Sequence, residues 1–91
     1  MVYINLRLNV ADYDRWRLGF DANESSRRSA GSTGVNQFYQ DVENPNNVTL
    51  VLEWDEAGKA QAFRNDPRTK ESMDEAGVTG RPMVVAVQAK V

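Results

Sequence analysis

Tyr13, Trp16, Phe20, Asn23 and Arg27 recur at intervals of three and four, so a helix would place all five on one face. That face is apolar in its first half and polar in its second. At the edge of an aromatic wall, Asn23 can hydrogen-bond a ligand and Arg27 can stabilise an enolate or phenolate. The plainer alternative is that the helix leaves the core after Phe20 and Arg27 only complements its C-terminal dipole. Trp54 is the third candidate. It shares strand parity with Leu50 and Leu52, so it should point toward the helices, where it either closes a core or lines a pocket. The pocket-lining candidates are Leu8, Trp16, Phe20, Phe38, Phe63 and Met73.

The chemistry open to these residues is narrow. The 91 residues include no cysteine, which excludes disulfides, thiolate nucleophiles and cysteine metal sites. They include no histidine either, which removes the commonest general base and the usual zinc and haem ligand. Neither a metal nor a cofactor is expected. Catalysis would rest on carboxylates, tyrosines, lysines, arginines, amides or the substrate itself. Glu53 reads as a structural ion pair with Arg7, cross-strand or cross-subunit, because a catalytic carboxylate would need a second acid–base group and a concave site. Gly31-Ser32-Thr33-Gly34 follows a helix and lacks a lysine, so it is not a phosphate loop. Glu71, Asp74 and Glu75 read as a solvated helix face.

The elements that position these residues follow from their patterns. Residues 2–10, VYINLRLNV, alternate strictly and predict a strand with Val2, Ile4, Leu6, Leu8 and Val10 in a core. Asp12 is an N-cap candidate for one helix over 12–30, which Gly31 would end in a left-handed conformation. Residues 34–42 and 47–54 flank the turn Glu43-Asn44-Pro45-Asn46 and predict a hairpin, with Val42 opposite Val48. Asp55 would cap a helix to about Arg64, and Asp66-Pro67 would restart it as far as Gly77. After a loop over 78–81, residues 82–90 predict the last strand. The order β-α-β-β-α-β gives one α+β domain over residues 1–91: a ferredoxin-like, four-stranded antiparallel sheet with helices on one face.

The other face of that sheet would carry Tyr3, Asn5, Arg7, Asn9, Gln37, Tyr39, Thr49, Val51 and Glu53. Such a mixed face can be solvated, bind nucleic acid, or meet its own copy. The stretch Val2-Tyr3-Ile4-Asn5-Leu6 resembles the first motif of RNA-recognition domains. It is one residue short before Asn-Leu, however, the third strand lacks the basic-aromatic second motif, and net charge is −2. Nucleic acid is therefore not an expected partner. There is no signal-peptide pattern and no apolar run of membrane-spanning length, so a cytoplasmic protein is expected.

Several segments resemble the dimeric α/β-barrel superfamily, in particular the small antibiotic-biosynthesis-monooxygenase and cyclase-like proteins. They are VADYDRWRLGFD (10–21), RRSAGSTG (27–34), DVENPNNVTLVLEWD (41–55), AFRNDP (62–67) and the glycines and proline of 76–82. The resemblance implies a homodimer in which two sheets pack face to face as a barrel. It implies a pocket between each sheet and its helices, and cofactor-independent oxidation or cyclisation of a small aromatic or polyketide-like molecule. A non-catalytic ligand-binding or accessory dimer is the alternative. Relatives in this group often carry a histidine late in the first strand and another midway along the first helix. Leu8 and Asn23 stand at those positions here, so that histidine chemistry is not available to this chain.

Overall fold

The computed structural model describes the backbone of residues 1–91 and all side chains except those of Arg81, Met83, Val84 and Val85. The chain runs β1 (Val2–Val10), α1 (Tyr13–Ala22), α2 (Glu24–Ala30), β2 (Ser32–Gln40), β3 (Asn47–Trp54), α3 (Ala57–Asn65), α4 (Pro67–Glu75) and β4 (Val78–Ala89). The four strands form one antiparallel sheet in the order β2-β3-β1-β4, and the fold is α+β, ferredoxin-like. Among the described residues no helix is long and apolar enough to cross a membrane.

The alternation of β1 and β3 sets the layer structure. Ile4, Leu6, Leu8 and Val10 on β1, and Val48, Leu50, Leu52 and Trp54 on β3, are all buried on the helix side. Leu6 lies opposite Leu50 and Ile4 opposite Leu52, so the two central strands present one apolar row to the helices. Trp16 of α1, Ala60 of α3 and Val78 of β4 complete the buried core. Removing this apolar surface from water is the main force holding the helices to the sheet.

Four expectations need correction. The segment expected to be one helix breaks at Asn23, whose φ and ψ of −98° and 12° depart from helical values. Its side-chain Nδ2 donates to the Gly19 carbonyl at 3.1 Å, competing with the backbone ladder as short amide side chains do. β2 begins and ends two residues early, and Gln40 rather than Val42 lies opposite Val48. The shift is an even number of residues, so every β2 side chain keeps its expected face. β4 starts at Val78, because Val78 and Thr79 pair with Val10 and Asn9 where a loop was expected. The fourth correction concerns the cross-strand form of the Arg7–Glu53 pair, within one chain. Tyr3 lies opposite Glu53 and Arg7 opposite Thr49, which separates Arg7 and Glu53 by four residues of strand, roughly 13 Å. Arg7 instead meets Asp41 at 3.4 Å. Glu53 accepts from the Tyr3 hydroxyl at 3.1 Å and from the Thr33 hydroxyl at 2.9 Å.

The caps are divided. Asp66 accepts the Arg68 backbone N–H at 2.9 Å with Pro67 at the first helical position, as its sequence predicts. Asp12 occupies the N-cap position of α1 and its carbonyl accepts the Trp16 N–H at 3.0 Å, but its side chain caps nothing; Asn46, at the hairpin tip, accepts the Tyr13 N–H at 3.1 Å in its place. Asp55 lies one residue before the α3 N-cap, Glu56, and pairs with Lys59.

Candidate functional site

A cavity of about 470 Å³ lies between the sheet and the helices. Its floor is Leu6, Leu8, Leu50 and Leu52, the buried row of the two central strands. One wall comes from α1 and α2, with Trp16, Phe20, Ser26, Arg27 and Ser29, and the other from α3 and α4, with Phe63, Thr69, Ser72 and Met73. At one end the two walls close together, for a Cβ on Gly19 would stand 3.1 Å from that of Ala76. Asn23, Asp66 and Arg68 also border the space. An apolar floor with a few polar groups on its wall is the usual form of a small-molecule site.

Arg27 is the unusual member. Arg27 reaches back across the helix break at Asn23 to the end of α1, where the Phe20 carbonyl already accepts the Asn23 N–H at 3.2 Å. Its Nη1 donates to the Phe20 carbonyl at 2.6 Å, and the guanidinium lies 3.5 Å from the centre of the Phe20 ring. The residue is 6% exposed. Its Nε is enclosed and bonds nothing among the described residues. The nearby carboxylates are engaged elsewhere: Asp21 holds Arg17 at 3.1 Å, and Glu24 holds Arg28 at 3.5 Å. Burial pushes the Arg27 guanidinium below its ordinary value, and the charges of Glu24 and Asp21 oppose that only in part.

Asn23 is exposed at the rim; with Nδ2 committed to Gly19, its Oδ1 is left to accept a bond. Asp66 is the one carboxylate bordering the cavity among the described residues. The Arg68 side chain, at 2.8 Å, and its backbone N–H hold the Asp66 carboxyl below the usual carboxylate range. It is a weak base as a result.

The remaining candidates divide. Leu8, Trp16, Phe20, Phe63 and Met73 border the cavity, whereas Trp54 and Phe38 do not. Trp54 is fully buried behind the wall, its ring centroid 4.6 Å from that of Phe63 and its indole N–H donating to the Ala30 carbonyl at 3.2 Å. Phe38 sits beyond α1, 5.3 Å from Phe20 edge to face, with the Arg17 guanidinium 3.7 Å from its ring centre. The edge position of β2 accounts for this, because Phe38 packs on the outer side of the helix. The serines of α2 and Thr69 and Ser72 of α4 were missed. Ser26 and Ser29 border the cavity from α2, after the break at Asn23, which the sequence signals only by a mid-helix asparagine.

By sequence, no family model and no curated protein matches the chain. By structure, several of its neighbours are described as antibiotic biosynthesis monooxygenases. A protein of Bordetella bronchiseptica described as an antibiotic biosynthesis monooxygenase superposes with a TM-score of 0.74 at 18% identity, covering 99% of this chain and 96% of its own. SnoaB of Streptomyces nogalater, a cofactor-independent oxygenase, gives 0.68 at 11% identity, with 99% and 95% covered. A monooxygenase-like protein of Nitrosomonas europaea gives 0.62 at 15%, with 100% and 99% covered. At these identities the likeness establishes a shared fold over the whole chain.

Proposed function

We propose that the helix–sheet cavity binds a small aromatic or polyketide-like molecule and that the protein acts on it as a cofactor-independent oxygenase or cyclase-like enzyme. The observation that carries the reading is the combination in one space: an apolar floor, aromatic walls from Trp16, Phe20 and Phe63, and a guanidinium at one side. The fold-level likeness to a cofactor-independent oxygenase supports it. In such chemistry the substrate supplies the electrons. Loss of a proton from a phenol or β-dicarbonyl leaves an anion that reduces dioxygen at carbon. The resulting hydroperoxide loses water, so that one oxygen atom ends in a new carbonyl and the other in the water. Arg27 stabilises the oxyanion, Asn23 accepts a hydrogen bond from a ligand hydroxyl, and Trp54 holds the wall from behind.

The reading includes a homodimer. The open face of the sheet carries Tyr39, 54% exposed, beside Thr49, with Tyr3, Asn5 and Arg7 along β1. Two such faces packed together would bury these residues and leave the helix-side cavities on the outside of the pair. A monomeric mass at micromolar concentration by sedimentation would contradict this part.

One observation favours a second reading, a ligand-binding or accessory dimer without turnover. The single cavity carboxylate among the described residues, Asp66, is clamped by Arg68, so the site offers no strong base of its own. Oxygen uptake with fused-ring phenols separates the two readings. Uptake with formation of a quinone, lost in Asn23→Ala and Arg27→Ala, supports the oxygenase. Saturable binding without uptake supports the accessory role, and unchanged affinity and turnover in both variants would overturn the site.

A further inference from the structure

Arg27 does more structural work than a cavity wall requires, yet among the described residues its charge has no direct ion-pair partner. It is 94% buried by its 6% exposure, bonds one carbonyl, and has an enclosed Nε with no partner. Asp21 and Glu24 are spent on Arg17 and Arg28, and Asp66 on Arg68. Arginine does not escape the cost of burial by losing its proton near neutral pH. A buried cation is ordinarily paired, so a guanidinium on a cavity wall with every nearby carboxylate engaged is a site lacking its counter-charge. The rest of the wall agrees in sign. The ionisable side chains bordering the cavity are Arg27, Asp66 and Arg68, a net charge of +1 among the described residues. Ser26 and Ser29, on either side of Arg27 in α2, add hydroxyl donors.

We infer that the cavity selects ligands that are anions before any reaction begins: aromatic or fused-ring acids whose carboxylate lies against Arg27 while the rings occupy the apolar floor. This rests on the ligand-site reading above and narrows it, since a neutral phenol would meet the guanidinium only after ionising. The aliphatic and aromatic surfaces of Leu6, Leu8, Leu50, Trp16 and Phe63 take the rings. The anion approaches Nη2, the terminal nitrogen that the Phe20 carbonyl does not hold, since Nε is enclosed. A charge-assisted bond to the guanidinium sets a preference for the acid over its neutral ester of roughly ten- to a hundredfold.

The test compares 1-naphthoate with methyl 1-naphthoate by calorimetric titration of the intact protein at pH 7. The expected result is that the acid binds at least tenfold more tightly. The preference should persist from pH 6 to 9, where neither the acid nor arginine titrates. It should disappear in Arg27→Met, persist in Arg27→Lys at reduced strength, and be unchanged in Arg28→Gln, which removes a neighbouring cation outside the cavity. Equal affinity for acid and ester in the wild type overturns the anion inference and leaves the aromatic-ligand reading standing. Binding of neither overturns both. The wild-type comparison decides the matter even if Arg27→Met does not fold, and a preference lost equally in Arg28→Gln would overturn the assignment to Arg27.

Discussion

Replacing Trp54 with phenylalanine separates a tryptophan that supports the wall from one that lines the cavity. Trp54 is fully buried, lies 4.6 Å from Phe63 between ring centroids, and donates its indole N–H to the Ala30 carbonyl at 3.2 Å. That bond ties the end of β3 to the end of α2, beside Gly31, whose carbonyl accepts the Asp55 N–H at 3.0 Å. Phenylalanine keeps a ring against Phe63 but leaves the Ala30 carbonyl without that donor, which costs about 1–3 kcal/mol. The smaller ring also leaves a void, adding roughly 1 kcal/mol. The sum, about 2–4 kcal/mol, corresponds to a fall in Tm of roughly 10–30 °C in a domain of this size. Thermal unfolding followed by circular dichroism, at one fixed protein concentration because self-association would shift Tm, measures it. Trp16→Phe is the comparison. Trp16 is 2% exposed, but its indole nitrogen bonds no protein group among the described residues, so only packing is lost. A Trp54→Phe shift below 3 °C, or one no larger than that of Trp16→Phe, would refute the assignment of a structural hydrogen bond to Trp54.

Gly31→Ala should destabilise by more than Gly77→Ala. Both glycines have positive φ, 125° and 89°, but a Cβ on Gly31 would stand 2.8 Å from the Trp54 indole nitrogen, while one on Gly77 meets nothing within 4 Å; urea midpoints of the two variants check this. Arg27→Met should stay within about 1 kcal/mol of wild-type stability without ligand, because the lost bond to Phe20 is offset by removal of a buried, unpaired charge, and the same denaturation series measures it. Asp66 has a folded pKa held below its unfolded value, so its ion pair with Arg68 stabilises above a pH of about 4 and the contribution is lost as pH falls through the folded pKa. Asp66→Asn keeps a capping oxygen and removes the charge. Its deficit against wild type should be constant from neutral pH to about 5 and vanish on further acidification, whereas a deficit unchanged at pH 2 would rule out the ion pair as its source.

Sheet and core were legible because their signals are local and repeated. Five apolar residues at period two in β1, and the parity of Leu50, Leu52 and Trp54 in β3, place the buried row without knowledge of any distant contact. Asp66-Pro67 likewise marks the start of α4 by chemistry confined to three residues. The site was legible in its apolar members, Leu8, Trp16, Phe20, Phe63 and Met73, and in the polar half of the first wall. Asn23 and Arg27 follow from helical spacing, but the break at Asn23 depends on a side chain competing for the Gly19 carbonyl, which spacing alone does not reveal. The hydrogen bond from Arg27 to Phe20 arises from the same break. Phe38 and Trp54 show the opposite limit. Parity gives the face of a strand residue but not whether its ring borders a space or stands behind another ring, and that depends on where α1 and α3 lie over the sheet. The cross-strand form of the Arg7–Glu53 pair failed for a related reason, because both residues share a face while their positions along the ladder differ by four.

The central claim is that the space between helices and sheet is where a ligand binds. A ¹H–¹⁵N NMR titration with 1-naphthoate tests it most directly, because the two tryptophans report separately. The account predicts saturable shifts of the Trp16 indole N–H and of the backbone amides from Asn23 to Ala30, with Phe63 and Ser72 following. Tyr3, Asn5 and Tyr39 on the open face should stay still. Shifts confined to that open face, or no saturable shift at all, would contradict the account.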